Sequence, residues 1–259
     1  MKVRKVLFSV LCALASLAML APFSLAQTRG QPQVEDAVED DPLDHPLAPG
    51  IKVRAFIHRP RVVEPNHLGT CDPITTDSST YGLTGWHLPP SITWKLNGAT
   101  VPASIGASNA IIVFQNAFAT WHAADLGKIF NYGGTTKAKN ARFDGVNAVL
   151  WGRLSPSTIG VTYVWYYTST GQVAEVDTVF NSRYPWAIFP ATGGECQASP
   201  DAYDLQDIAT HEFGHWIGLD DLYNGADADL TMYGFGAGGE LKKRTLGTGD
   251  FNGANAVAP

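Results

Sequence analysis

The sequence has no excess of basic residues, few cysteines and only one long apolar run. Lysine and arginine number 18 against 24 aspartates and glutamates, which gives a formal net charge of -6. A chain of this charge offers no basic surface for nucleic acid or for an anionic membrane. Internal repeats are absent, and hydrophobic residues make up 45% of the chain, enough to bury the core of one domain.

The long apolar run lies at the N-terminus and predicts a secretory signal peptide over residues 1–26. Basic residues precede an apolar stretch from Val6 to about Leu20, and the small-residue exit Ser24-Leu25-Ala26 follows it. The stretch is short for a membrane span, and no comparable stretch recurs. We therefore expect cleavage near Ala26 and a secreted product, extracellular or periplasmic, that is free of the membrane.

Residues 27–70 predict an acidic, proline-rich prosegment or linker that cannot build a core of its own. Its carboxylates greatly outnumber the single Arg29 between residues 27 and 50; they are Glu35, Asp36, Glu39, Asp40, Asp41 and Asp44. We expect ordered structure to begin between Cys71 and Trp86, with the folded domain spanning residues 71–259.

The pattern within residues 71–259 predicts an α+β domain. Ser91–Leu96 alternates apolar and polar residues as a half-buried strand does. Apolar residues at helical spacing from Ala110 to Trp121 predict a core helix, with His122 as a surface or capping residue. Strands are expected at 148–151, 159–167 and 173–181, the last two joined by a hairpin around residues 169–171.

The segment His211-Glu212-Phe213-Gly214-His215 carries the clearest chemical signal. Asp204 is a suitable N-cap, so a helix should begin there. At about 100° per residue, His211 and His215 lie about 40° apart on such a helix, with Glu212 on the same side. Two imidazoles can then bind one metal ion while the carboxylate faces its open position.

A catalytic zinc ion usually takes three protein ligands and keeps one position for water, so the helix supplies one ligand too few. Gly218 can adopt a left-handed conformation and turn the chain back towards the metal. Asp221 follows three residues later and is the candidate third ligand, whereas Asp220 is expected to be a solvated surface carboxylate, with a ligand role as the alternative. The whole pattern is H-E-x-x-H-x-x-G-x-x-D.

With this pattern the sequence resembles the metzincin zinc metalloproteases, most closely the secreted bacterial matrixin-like enzymes. That family places a methionine in a turn below the metal, and Leu230-Thr231-Met232-Tyr233 follows at a suitable distance. The strand pair Val161–Trp165 and Glu175–Asn181 is also similar, as is the tail Lys243–Asp250. The resemblance covers about residues 81–259.

Most matrixins carry a third histidine where this chain has Asp221, and the aspartate followed by Tyr223 is similar to the snapalysin branch. The resemblance implies a twisted, mostly parallel sheet with an antiparallel edge strand, packed on helices. It also implies an active-site helix followed by a glycine turn and a Met-turn.

The resemblance implies a zinc endopeptidase in which His211, His215 and Asp221 hold Zn²⁺ and Glu212 is the general base. Protein or peptide substrates would bind to a monomer in extended form, antiparallel to the strand near 159–167. The rival peptidase class, which is thermolysin-like, takes a glutamate from a later helix as its third ligand, and Gly218 and Asp221 argue against it. A rival of another class is a secreted zinc-containing binding or adhesion module without turnover.

The two cysteines outside the signal peptide, Cys71 and Cys196, predict one disulfide in an oxidising compartment. The alternative is a Cys71 thiolate that caps the zinc of a latent precursor, as in the cysteine switch of some matrix metalloproteases. Asp40 or Asp41 of the acidic segment is a second candidate for such a cap.

Two further assignments stay open at the level of sequence. Asp144 and Asp177 could bind Ca²⁺, although acidic residues at loops and strand ends are common without it. Tyr223 and Tyr233 could line the cleft or donate to a tetrahedral oxyanion, or they could simply pack.

Overall fold

The computed structural model describes residues 49–61, 78–124, 127–192, 195–196 and 198–257. Its helices are α1 (Ala107–Trp121), α2 (Leu205–Ile217) and α3 (Thr248–Ala256). Its strands are β1 (Ile51–Pro60), β2 (Ser91–Leu96), β3 (Ile129–Thr135), β4 (Asn147–Gly152), β5 (Gly160–Tyr167), β6 (Val173–Asn181), β7 (Trp186–Ala187), β8 (Ala191–Thr192), β9 (Glu195–Cys196), β10 (Tyr203–Asp204) and β11 (Phe235–Gly236). Within these ranges, no helix has the length and apolar character needed to cross a bilayer.

Seven of the strands form one mixed sheet in the order β11-β1-β5-β6-β4-β2-β3. Strand β5 runs antiparallel to both of its neighbours, β1 and β6, and every other pair in this sheet is parallel. The domain is therefore α+β with a mostly parallel sheet packed on helices. The predicted strands β2, β4, β5 and β6 and the predicted helix α1 are confirmed, and His122 caps α1 as an exposed residue.

Two expectations are wrong: one concerns the edge of the sheet, and the other concerns where ordered structure begins. Strand β5 is antiparallel as expected, but it is not an edge strand, because β1 and β11 lie beyond it. Ordered structure also begins before Cys71, since Ile51–Pro60 forms β1 inside the segment 27–70 that was expected to be a prosegment or linker. The physical reason is a change of composition, because residues 45–63 contain no acidic residue and an alternating strand pattern begins at Ile51.

The main core lies between the sheet and the helices α1 and α2 and is rich in aromatic side chains. Phe118 of α1 stacks on Phe213 of α2 with ring centroids 3.8 Å apart. The indole N–H of Trp121 donates to the carbonyl of Thr210, 2.8 Å away, inside the same helix pair. These contacts hold α2 in a defined rotation, so one of its faces is directed towards β5.

Candidate metal centre

Helix α2 begins and ends as its sequence predicts. The Asp204 carboxylate accepts the backbone N–H of Asp207 at 2.9 Å, which caps the N-terminus. Gly218 ends the helix in a left-handed conformation with φ 110°, and a Cβ at this position would lie 2.9 Å from the Trp86 carbonyl oxygen. Glycine is therefore required here, and the chain turns back towards the histidines.

The turn brings three ligand atoms together. His211 Nε2 lies 3.3 Å from His215 Nε2, and Asp221 Oδ1 lies 3.2 Å and 3.6 Å from these two nitrogens. Bonds of about 2.0–2.2 Å from a tetrahedral zinc ion place its ligand atoms about 3.3–3.6 Å apart. The three distances fit such an ion without rearrangement.

The other nitrogen of each imidazole is held by a backbone carbonyl. His211 Nδ1 lies 2.7 Å from the Thr231 oxygen, and His215 Nδ1 lies 2.9 Å from the Leu219 oxygen. A carbonyl only accepts, so Nδ1 carries the proton and Nε2 presents its lone pair to the metal position. Burial lowers the pKa of both His211 and His215 to about 3, so both rings are neutral at pH 7.

The structure separates the two neighbouring aspartates. Asp221 points at the histidines, and its Oδ2 accepts the Tyr223 hydroxyl at 3.1 Å. Asp220 points away and forms a bidentate pair with Arg54 at 2.8 Å and 3.1 Å. The expectation of a solvated Asp220 is therefore wrong, because Arg54 of β1 binds it.

Glu212 lies beside the three ligand atoms, fully buried, at the end of a chain of hydrogen bonds. Its Oε2 accepts the Thr162 hydroxyl at 2.6 Å, and Thr162 lies 2.8 Å from the Thr178 hydroxyl. Thr178 accepts the indole N–H of Trp216 at 2.9 Å and donates its own hydroxyl to Thr162, whose hydroxyl donates to Glu212. Burial raises the pKa of Glu212 well above its usual value, and the bond from Thr162 opposes that rise.

Two residues of β1 that were not predicted from the sequence, Phe56 and His58, complete the surroundings of the site. The His58 ring lies 3.8 Å from that of His211, and its Nδ1 is 3.6 Å from Glu212 Oε1. Phe56 stacks on His215 with centroids 4.0 Å apart. The available signal was an alternating strand pattern that directs positions 56 and 58 to one face.

The side chain of Met232 packs against α2 at Gly214. A Cβ at Gly214 would collide with its sulfur, so the glycine permits this close contact. The backbone N–H groups of Thr231 and Met232 donate to the two Asp250 oxygens at 2.7 Å and 2.9 Å. Helix α3 thereby positions the carbonyl that holds His211.

We expect Asp250→Ala to destabilise the protein by about 3 kcal/mol, because buried N–H groups of Thr231, Met232 and Gly247 lose their acceptor. Zinc affinity should fall about 10–100-fold, since the carbonyl that orients His211 is no longer held. Thermal unfolding and zinc titration measure the two effects. Asp250→Asn, which keeps one acceptor oxygen, is the milder control; equal zinc affinity in wild type and Asp250→Ala would contradict this role.

Asp144, Asp177 and Tyr233, whose roles the sequence left open, all have partners within the protein. The Asp177 oxygens accept the backbone N–H groups of Arg142 and Ala148 at 2.8 Å and 2.7 Å, and Asp144 accepts that of Val146. These carboxylates hold the loop before β4 through its backbone N–H groups. Tyr233 is buried beneath cationic side chains.

Several predictions fall on parts of the chain that the structure does not describe. They are the signal peptide, the acidic segment with Asp40 and Asp41, and the Cys71 side of the disulfide or thiolate cap.

No protein-family model matches this sequence, and no curated protein matches it. The functional interpretation therefore depends on the geometry of the site.

Proposed function

We propose that this protein is a secreted zinc endopeptidase of the metzincin type, matrixin-like with an aspartate as third ligand. His211, His215 and Asp221 hold the metal, and Glu212 is the general base. The observation that carries the proposal is the spacing of three ligand atoms at 3.2–3.6 Å beside a buried carboxylate that is not one of them. The glycine turn and the methionine below α2 support the family assignment.

A zinc ion held by His211, His215 and Asp221 would supply a Lewis acid that polarises a peptide carbonyl and lowers the pKa of water towards about 7. The two oxygens of Glu212 have different roles. Thr162 holds Oε2, whereas Oε1 has no hydrogen-bond partner among the described residues and is free to take a proton. A water molecule gives up this proton, its oxygen bonds to the peptide carbonyl carbon, the carbon–nitrogen bond breaks, and Glu212 passes the proton to the departing amine.

The carboxylate of Glu212 distinguishes an enzyme from a binding module. A purely structural zinc site needs no acid or base. Burial of Glu212, and the nearby Asp221 carboxylate, disfavour the ionised form of Glu212 and raise its pKa. Groups perturbed in this way are concentrated in active sites. We therefore favour turnover over a zinc-containing adhesion module.

A quenched-fluorescence peptide assay on protein secreted from cells that express the full chain tests the function. We expect hydrolysis that a chelator abolishes and added zinc restores. The assay is run both on the intact chain and on a chain cut after residue 61. Zinc-loaded protein that hydrolyses no peptide in either form would favour the binding module.

We expect Thr162→Val to keep zinc but to lower the rate about tenfold or more, because a hydrogen bond to a charged group contributes about 1.5–3 kcal/mol. That bond stabilises the ionised form of Glu212, so its loss raises the pKa and moves the acidic limb of the pH–rate profile to higher pH. Thr162→Ser keeps the hydroxyl and is the matched control. An unshifted acidic limb in Thr162→Val would show that the hydroxyl does not tune the base.

A further inference from the structure

We propose that a cationic pocket on the outer face of the sheet binds the acidic stretch of this same chain, residues 34–44. The outer face is the one that does not pack on α1 and α2. This inference goes beyond the proposed peptidase function and does not depend on it. It assigns a role to the pocket and to a stretch of sequence that the mechanism does not use.

The cationic pocket lies on the side of the sheet opposite to the metal centre. It has a volume of about 330 Å³ and is lined by three cationic side chains and an apolar floor, namely Lys139, Arg142, Arg153, Leu154, Tyr163 and Val179. Tyr163 of β5 packs on the smaller hydrophobic cluster of the outer face. Its neighbour Thr162 points to the other face, where it binds Glu212.

The three cations of the pocket have no anionic partner among the described residues. Lys139, Arg142 and Arg153 form no ion pair there, and no aspartate or glutamate of the described ranges lines the pocket. The carboxylate of Asp177 binds the backbone N–H of Arg142 at 2.8 Å and not its side chain. Like charges that share one site repel each other, so the pocket favours an anionic ligand.

Hydrogen bonds to neighbouring strands and loops hold both walls of the pocket in place. On one wall, the side-chain amide of Asn97 donates to the Ala138 carbonyl at 2.7 Å. On the other wall, the backbone N–H of Leu154 donates to the side-chain oxygen of Asn181 at 3.2 Å. A site whose walls are already fixed loses little conformational entropy when a ligand binds.

The acidic stretch matches the pocket in charge and in composition. Residues 34–44 contain six carboxylates and no lysine or arginine, and Val38 and Leu43 stand between the carboxylates. A segment that is both acidic and apolar complements a cationic rim above an apolar floor. Exposed ion pairs are individually weak, but a short tether gives the stretch a local concentration in the millimolar range.

The chain enters β1 through a turn that allows the preceding residues to run back across the sheet. Pro49 and Gly50 form this turn, and Gly50 has a φ of 85°, which favours glycine. The Gly50 carbonyl accepts the backbone N–H of Thr168 at 2.9 Å, which fixes the turn beside the end of β5. The acidic stretch is therefore tethered to the same sheet that carries the pocket.

The tether is long enough for the acidic stretch to reach the pocket. Ala55 of β1 lies opposite Tyr163, and it is about 13 Å along the strand from Ile51. Two strand spacings, from β1 to β6, add about 10 Å across the sheet. The seven residues from Asp44 to Ile51 can span up to about 23–25 Å. The more distant carboxylates of the stretch have a longer reach.

Docking on the outer face excludes a second role for the acidic stretch. The sequence left open that Asp40 or Asp41 caps the zinc of a precursor. A stretch that is bound on the outer face cannot reach His211 and His215 on the inner face at the same time. The acidic stretch is therefore an anchor on the outer face and leaves the metal position to water and substrate.

The first test is cross-linking of the full chain with a carbodiimide, which joins a lysine amine to a carboxylate in contact with it. Mass spectrometry should find Lys139 joined to a carboxylate of residues 35–44, and high salt should abolish this product. The double variant Arg142→Gln, Arg153→Gln should lower the yield about fivefold or more, since two ion pairs are lost. Both side chains are exposed, so the fold should be unaffected.

The matched control is Lys95→Gln with Lys128→Gln, which changes the net charge equally at positions outside the pocket. It should leave the yield at Lys139 unchanged. Cross-links of the acidic stretch that are spread evenly over all exposed lysines, or that are unaffected by the two arginine substitutions, would overturn the docking.

A second test opens the pocket in the full chain. Replacing the six acidic residues of 34–44 by their amides should allow a fluorescent peptide of residues 34–44 to bind about tenfold more tightly than it binds the wild type, whose own stretch competes. Adding Arg142→Gln and Arg153→Gln to this variant should remove the binding. Inorganic phosphate is the small-anion probe.

The outcomes of the second test decide what occupies the pocket. Equal binding of the peptide to the wild type and to the amide variant would show that the chain's own stretch does not lie there. Binding of phosphate without binding of the peptide would make the pocket a small-anion site and overturn the proposed occupant. Neither test measures hydrolysis, so either result leaves the proposed peptidase function to its own experiments.

Discussion

We expect Glu212→Ala to lower peptide hydrolysis by about 10²–10⁴-fold while the protein keeps its zinc. The physical reason is that the proposed metal ligands and the proposed proton acceptor are different residues. The three atoms that converge at zinc-ligand spacing belong to His211, His215 and Asp221, and Glu212 lies beside them with Oε1 unoccupied. Removal of this side chain takes away the proton acceptor but no metal ligand.

Glu212→Gln is the sharper version of this experiment. The amide has nearly the same shape and can still accept the Thr162 hydroxyl, but it cannot take a proton at neutral pH. Metal analysis is run beside the peptide assay, on both variants and on the wild type. Loss of zinc in either variant would place Glu212 among the ligands, and near-normal hydrolysis would overturn the proposed mechanism.

The second large effect is expected for Asp221→Ala, which should lose zinc on dialysis and lose activity with it. Two imidazoles remain, and a catalytic zinc site usually needs three protein ligands. The fall in affinity should exceed the roughly 10–100-fold that the loss of an outer hydrogen-bond partner causes. Zinc titration against a competing chelator measures it.

The neighbouring carboxylate provides the control for Asp221. Asp220→Asn should keep zinc, because Asp220 is directed to Arg54 and away from the histidines. Its effect should be confined to the loss of the ion pair with Arg54 of β1. If Asp220→Asn loses zinc and Asp221→Ala keeps it, the ligand assignment is wrong by one residue.

The sequence alone was sufficient for the centre of the site because that part is local. The N-cap at Asp204, the helical spacing of His211 and His215 and the left-handed Gly218 lie within one short segment. Helical periodicity and the steric freedom of glycine are properties of neighbouring residues, so spacing predicts where these groups point. The structure accordingly brings Asp221 Oδ1 to 3.2 Å and 3.6 Å from Nε2 of His211 and His215.

The tertiary structure alone decided what surrounds that centre. Thr162 is 50 residues from Glu212, and Arg54 is 166 residues from Asp220. Such contacts depend on which strands become neighbours, and that order results from burial and pairing summed over the whole chain rather than from any local period. The position of β1 beyond β5 is of this kind: its residues alternate as in a strand, but no strand was predicted there, and only the folded sheet brings the His58 ring to 3.8 Å from the His211 ring.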